Sequence, residues 1–336
     1  MYELLGINIV FAALLTINAL ATLAAAALGR LLKQPLLRCT ARTRAEILFT
    51  LRIGPPATAL IATVAFLIPS YLIYEPHATT ETVTIQMAVI AIASAFGLVF
   101  AVWRGLRSWL ATRSLLKKWL AMATPVNVEA VDVPAFTLPL AFPIIAVVGS
   151  LRPRLFIAAH VLQRLTKDEL IAAMAHEYGH LAARDNFKRS LIRASRAALL
   201  IFPCGRSLDR AWSEASEAAA DEHAAQKSAS VALNLASALV TIAKMIPTGQ
   251  QQGLPTSVST FLNGDEEPQG VKSRVRRLLE LAASDSRLVG TNAPIVRLAP
   301  WVVLSACVVA AIALETRVEV LASVHNVLEH FVAALS

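Results

Sequence analysis

The amino-acid sequence predicts a mainly α-helical, polytopic membrane protein with four transmembrane helices and a cytoplasmic α+β domain. Three observations predict it. Of 336 residues, 56% are hydrophobic and 16% charged, with a mean hydropathy of +0.58, whereas an average soluble domain is about a quarter charged. The charges are clustered, leaving apolar stretches long enough to cross a bilayer. Between the third and fourth of these lie about 190 residues with the capping, turn and alternation signals of a folded domain. The net charge of +8 is accounted for by basic loops beside apolar spans, so no direct nucleic-acid contact is expected. The basic segments 104–118 and 272–277 suit anionic lipid headgroups. Cys39, Cys204 and Cys307 are widely spaced and odd in number, which excludes a disulfide framework and a CxxC metal site.

The first unit, residues 1–118, contains three spans. Residues 4–28 carry no charge; the run is too long for a signal-peptide core and lacks a basic segment before it. Residues 53–74 and 82–103 follow, with Pro69 expected to kink the second span near its outer end. The fourth span falls in 297–315, its apolar run reaching from Leu298 to Leu314. Tyr71, Tyr74, Trp103 and Trp301 stand near span ends, as interfacial aromatics do.

Orientation follows from Lys and Arg. The loop from Gly29 to Arg52 holds Arg30, Lys33, Arg38, Arg42, Arg44 and Arg52, whereas Glu75–Glu81 holds none. Arg104, Arg107, Arg113, Lys117 and Lys118 follow the third span, and only Arg317 lies beyond the fourth. The positive-inside rule puts the N-terminus outside, 119–296 in the cytoplasm and the tail 316–336 outside; a bacterial cell membrane is expected. In that tail Val320, Val324, Val327, Phe331 and Leu335 recur at helical spacing, which predicts an amphipathic helix on the outer surface.

The cytoplasmic domain opens with three short β-rich segments, Asn127–Val131, Pro143–Val148 and Pro153–Ala158, the last two joined by a turn at Gly149–Pro153. Thr166-Lys167-Asp168-Glu169 is a capping box and starts a helix expected to run to about Arg184. That helix carries His176-Glu177-Tyr178-Gly179-His180. Residues four apart share a helix face, so both imidazoles can reach one Zn²⁺. Glu177 points to an adjacent angle, placed to take a proton from a water at the metal. Two histidines leave zinc one protein ligand short. Glu217 and Asp221, four apart in an Ala-rich helical stretch, supply a third ligand and a carboxylate to hydrogen-bond a ligating imidazole. His223, on a different face from Glu217, is the rival third ligand.

These residues resemble the integral-membrane gluzincin metallopeptidases. His176-Glu177-x-x-His180 followed by Glu217-x-x-Ala220-Asp221 carries the resemblance. It extends to Val148-Gly149-Ser150-Leu151-Arg152-Pro153-Arg154, to Arg184-Asp185-Asn186 and to Val271-x-x-Arg274-Val275-x-x-Leu278-Leu279, spanning most of 141–279. Two branches compete. The layout is similar to the BlaR/MecR sensor-transducer peptidases: three spans, a cytoplasmic peptidase, one more span. Gly179 and Ala220 look more like the HtpX-like heat-shock proteases and CAAX prenyl proteases. Only about twenty residues follow the fourth span, so the penicillin-binding sensor domain of the BlaR/MecR branch is not matched and β-lactam sensing is not implied. No late His-Pro motif of the HtpX-like branch is found; Arg274 is the candidate for transition-state support.

The expectation is therefore a zinc endopeptidase holding one Zn²⁺ per chain through His176, His180 and Glu217, with Glu177 as general base. Its substrate is a protein or peptide reached from the cytoplasm or inner leaflet, either a cytoplasmic repressor or a membrane protein; an external signal needs a separate sensor partner or the membrane itself. The rivals are a quality-control protease and a catalytically silent membrane receptor or scaffold.

Overall fold

A computed structural model describes residues 2–75, 84–127, 133–149, 152–197, 205–246, 268–283 and 318–335. Three long apolar helices come first: α1 (Tyr2–Leu31), then after a short α2 (Lys33–Leu37) a continuous helix made of α3 (Ala41–Ala62), a π-helical turn (Thr63–Leu67) and α4 (Ile68–Tyr74), then α5 (Ile85–Met122). Leu5, Ile9 and Ala13 of α1 pack against Leu67, Tyr71 and Met87. Leu20, Leu60, Val64, Ile92, Phe96 and Val99 face outward, exposed. Such a band of large apolar side chains has no place in water, and 30, 34 and 38 residues exceed the roughly 20 that cross a bilayer. The protein is membrane-associated. The predicted fourth span lies outside the described residues.

Two boundaries differ from expectation. Residues 29–52 are largely helical rather than a loop, with Thr40 capping α3 through Thr43 N, and of the cations counted there for orientation Arg42 and Arg52 have carboxylate partners. Lys188 Nζ donates to Glu46 at 2.5 Å, and Arg52 Nε to Asp209 at 2.7 Å, all four side chains buried. The third span runs on as helix to Met122. Pro69 sits just past the π turn, so its missing N–H and its ring fall where the regular ladder is already interrupted.

Beyond α5 a four-stranded sheet forms from β1 (Thr124–Val126), β2 (Ala135–Leu138), β3 (Ile145–Val148) and β4 (Arg154–Ala158), in the order β1-β2-β4-β3. β2 and β4 are parallel; β1 with β2 and β3 with β4 are antiparallel. The expected hairpin joins β3 to β4, with Val148 opposite Arg154. Gly149 has φ +106°, and a Cβ there would meet Arg152 O at 2.6 Å, so the turn requires glycine. The strand expected at 127–131 lies, apart from Asn127, outside the described residues; on either side of it strands occupy 124–126 and 135–138. Phe156 is fully buried, with Trp119 of α5 against it, so the overhang of the third apolar helix joins the peptide-sheet core.

The helical layer comprises α6 (Ala159–Arg164), α7 (Lys167–Ala183), α8 (Asp185–Ala197), α9 (Gly205–Ala225), α10 (Ala229–Met245) and α11 (Pro268–Ala283). Leu208, Trp212 and Ala215 of α9 pack on Leu48 and Phe49 of α3. The last element, α12 (Val318–Leu335), is the helix expected in the tail. It lies against α4, where Ser70 Oγ donates to Leu321 O at 2.9 Å. Among the described side chains of this helix Leu321 is the buried apolar one, Val320 and Val324 of the expected stripe are partly buried, and Val327 is 70% exposed.

Candidate metal centre

α7 begins at the capping box: Glu169 N donates to Thr166 Oγ1 and Thr166 N to Glu169 Oε2. It ends at Arg184, whose φ of 54° is left-handed. Between them, His176 and His180 project from one face with ring centroids 4.8 Å apart. Glu217 reaches the same point from α9. Its Oε2 is 3.6 Å from His176 Nε2 and its Oε1 3.4 Å from His180 Nε2. One ligand atom from each of the three residues lies within 4.8 Å of the others.

What lets α9 come so near is a pair of small residues. A Cβ on Gly179 would sit 3.0 Å from Ala220 Cα and 3.3 Å from its Cβ. The helices therefore cross in contact, and Glu217, one turn before the crossing, meets the imidazole face.

Each imidazole is held from behind by a carboxylate. Asp221 Oδ1 lies 2.9 Å from His176 Nδ1. Asp185 Oδ2 lies 2.7 Å from His180 Nδ1 and also accepts from Ser216 Oγ at 2.7 Å. Arg274 of α11 grips Asp221 with two donors, Nε at 3.0 Å and Nη2 at 2.8 Å, and places Nη1 3.3 Å from Glu217 Oε2. With a carboxylate beside each Nδ1 (hydrogen-bonded at His180, at ion-pair distance at His176), the Nε2 atoms are the ones turned toward Glu217, as in metal sites where a carboxylate behind the ring fixes its tautomer. Two imidazole nitrogens and a carboxylate oxygen form a donor set that fits Zn²⁺.

The charges are mutually tuned. Burial pushes the His180 imidazole down, but the Glu217 and Asp185 carboxylates more than reverse this and hold it at about 10. His176 is likewise raised against burial by Asp221 and Glu217. Burial opposes ionisation of Glu217 and Asp221. The imidazoles and Arg274 overcome it, leaving Glu217 well below the usual carboxylate range and Asp221 at about 2. Glu177 is the exception among the acids: burial pushes its carboxyl up, toward the range in which a general base works.

All the residues singled out in the sequence converge here except His223, whose ring stacks near Tyr178 with centroids 5.8 Å apart. Arg274 is next to the centre, its Nη2 3.5 Å from His176 Nε2. Asp185 is the residue that sequence reasoning passed over as a site member. The left-handed Arg184 turns the chain back so that a residue five positions past His180 reaches it, outside the four-residue helical spacing. Its neighbour Asn186 donates through Nδ2 to Val147 O at 2.8 Å, fastening the start of α8 to β3, the edge of the sheet.

Residues 146–247 match the family model for peptidase family M48. The M48 match takes in His176, Glu177, His180, Asp185, Glu217 and Asp221, and stops short of Arg274 and of the apolar helices. It supports a zinc metallopeptidase family, whose peptidases are metal-dependent hydrolases, usually of zinc. No curated protein matches the chain.

Proposed function

We propose that the chain is a membrane-embedded gluzincin endopeptidase, with Zn²⁺ held by His176, His180 and Glu217, that cleaves a protein or peptide on the cytoplasmic side. The observation that carries this is the convergence of those three residues with a carboxylate behind each imidazole, Asp185 hydrogen-bonded to His180 Nδ1 and Asp221 2.9 Å from His176 Nδ1. Bound there, the metal would supply Lewis acidity at the attacking water and the substrate carbonyl. Glu177, its carboxyl raised by burial, accepts the proton of the attacking water and returns it to the leaving amine. β3, at the sheet edge, offers an extended peptide a strand to pair with beyond Val147, whose carbonyl Asn186 already holds. Arg274 keeps Asp221 and Glu217 ionised and in place.

Four spans, an outward N-terminus and a cytoplasmic peptidase remain our reading of the topology. Support comes from the two ends of one helix. Ala41 N donates to Glu222 of α9, whereas Ser70 meets α12. The two residues are roughly 43 Å apart along a continuous helix at 1.5 Å per residue. α12 and the metal centre therefore stand at opposite ends of the spans, the placement a fourth crossing between them predicts.

For the substrate we favour a specific regulatory protein over general membrane-protein quality control. The layout supports it, and Gly179 and Ala220, the two HtpX-like details, form a single packing contact rather than two independent marks. The test is the full chain in lipid nanodiscs with an unstructured reporter peptide. Cleavage that requires Zn²⁺ and vanishes in Glu177→Gln, with metal retained, is expected; metal-independent cleavage, or none, overturns the peptidase reading. In cells, one or a few proteins stabilised by Glu177→Gln support the regulatory substrate, and many stabilised membrane proteins support quality control.

A further inference from the structure

At the opposite end of the spans a second constellation repeats the chemistry of the first on a smaller scale. His325 and Glu329 stand four apart on α12 and so share a face, with His325 Nε2 3.6 Å from Glu329 Oε1. Glu75, at the C-terminal end of α4, reaches them from another element: one ligand atom from each of Glu75, His325 and Glu329 lies within 4.8 Å of the others. The three grade outward, with Glu75 buried, His325 partly so and Glu329 exposed.

We propose that Glu75, His325 and Glu329 form a second divalent-cation site, of the Zn²⁺ class, that clasps the tail helix α12 to the end of the second span farthest from the peptidase.

Three features carry it beyond a chance meeting of acids. The set includes an imidazole, which selects for transition-type cations over Ca²⁺ or Mg²⁺. The Nδ1 of that imidazole is buried and has no hydrogen-bond partner among the described residues, so the ring lacks the full set of partners that a buried imidazole ordinarily has. The ring is also fixed in place: Tyr74 packs on it with centroids 5.7 Å apart, and one turn earlier Leu321 is 4% exposed and accepts from buried Ser70. Two elements far apart in sequence are thus already docked with three ligand atoms in reach, and Glu329 opens the site to solvent. One nitrogen and two carboxylate oxygens leave a coordination position for water.

The site sits on the same continuous helix whose other end meets the metal centre. A cation that ties α12 to α4 therefore acts on the helix bearing Glu46 and Arg52, the partners of Lys188 and Asp209. The binding claim itself does not rest on the peptidase reading.

The experiment titrates ZnCl₂ into the metal-stripped full chain in detergent. Two equivalents are expected for the parent chain. The Glu75→Gln/His325→Gln pair should take one, and the His176→Ala/His180→Ala pair should also take one. If the Glu75/His325 pair binds as many equivalents as the parent at the same affinity, the second site is overturned. If instead only the His176/His180 pair is unchanged, it is the peptidase metal that fails. Because the double variant could loosen the tail's packing, Glu329→Gln serves as the gentler probe at an exposed position. It should weaken one of the two equivalents by at least the roughly tenfold that loss of an outer-shell partner costs, and unchanged affinity there also overturns the site.

Discussion

The two imidazoles of the metal centre are four residues apart on one helix, yet they are supported by opposite means. His180 leans on Asp185, five residues on and placed by the left-handed turn at Arg184. The carboxylate itself is local in sequence, with one added hydrogen bond from Ser216 of α9. His176 leans on Asp221, which belongs to α9 and is itself held by two donors from Arg274 on α11. Its support exists only once three helices have assembled. One half of the site is thus built into a single stretch of chain, and the other reports on tertiary packing.

The comparison has chemical content only if the centre reacts, and the largest effect tests that. Glu177→Gln should leave metal content unchanged and lower turnover by about 10²- to 10⁴-fold, the usual contribution of a general base; Glu217→Ala should release the metal. Equal activity of Glu177→Gln and parent on a reporter peptide would break the assignment.

Next come the two supports. Asp221→Asn and Asp185→Asn should each weaken Zn²⁺ affinity by roughly 10- to 100-fold, read by competition with a chelating dye. The difference between them is sharpened by Arg274→Gln. Combined with Asp221→Asn it should be non-additive, with a coupling of about 0.5–3 kcal/mol. Combined with Asp185→Asn it should add to within about 0.5 kcal/mol. Equal coupling to both would mean that the His180 side is not locally supported.

The helix crossing predicts a smaller change. Gly179→Ala forces α7 from Ala220 and should cost about 1–3 kcal/mol of stability by overpacking, with weaker metal binding because Glu217 moves with α9. Denaturation with and without Zn²⁺ measures both.

The smallest effect lies at the start of α7. Thr166→Ala should cost about 1 kcal/mol. Burial tends to raise the Glu169 carboxyl, but Ser237 and the Thr166 amide hold it below its ordinary value. A depressed carboxyl contributes stability above the unfolded pKa and loses it as pH falls through the folded value. Thermal unfolding near neutrality and again in acid should therefore show part of the acid loss missing in Glu169→Gln.

What could be read from sequence tracks the same local-against-assembled divide. The capping box, α7 and the pairing of His176 with His180 follow from spacing within one helix. The β3–β4 hairpin follows from a turn that admits only glycine at 149. Glu217 and Asp221 were readable only with the upstream motif in hand, since an acidic helix face has many uses. Asp185 escaped because helical periodicity does not anticipate a chain reversal at a non-glycine left-handed residue. The stretch 29–52 reads as a basic loop, whereas it is largely helical, with Arg52 paired to Asp209 and Glu46 of α3 to Lys188. No local pattern announces such partners, which are 157 and 142 residues away.

Those two buried ion pairs bear on how such a molecule can be divided and inherited. A fragment beginning at residue 119 would carry Lys188 and Asp209 but leave Glu46 and Arg52 behind, and would bare Leu208 and Trp212 where α3 had covered them. Stranding one member of a buried pair costs about 3–5 kcal/mol, a large share of the roughly 5–15 kcal/mol that holds a domain folded. The hydrolytic unit is therefore not a cassette that recombination could graft onto another anchor unchanged. Any lineage that exchanged the anchoring helix would have to remake positions 46 and 52 together with 188 and 209, so these four positions should vary as a set.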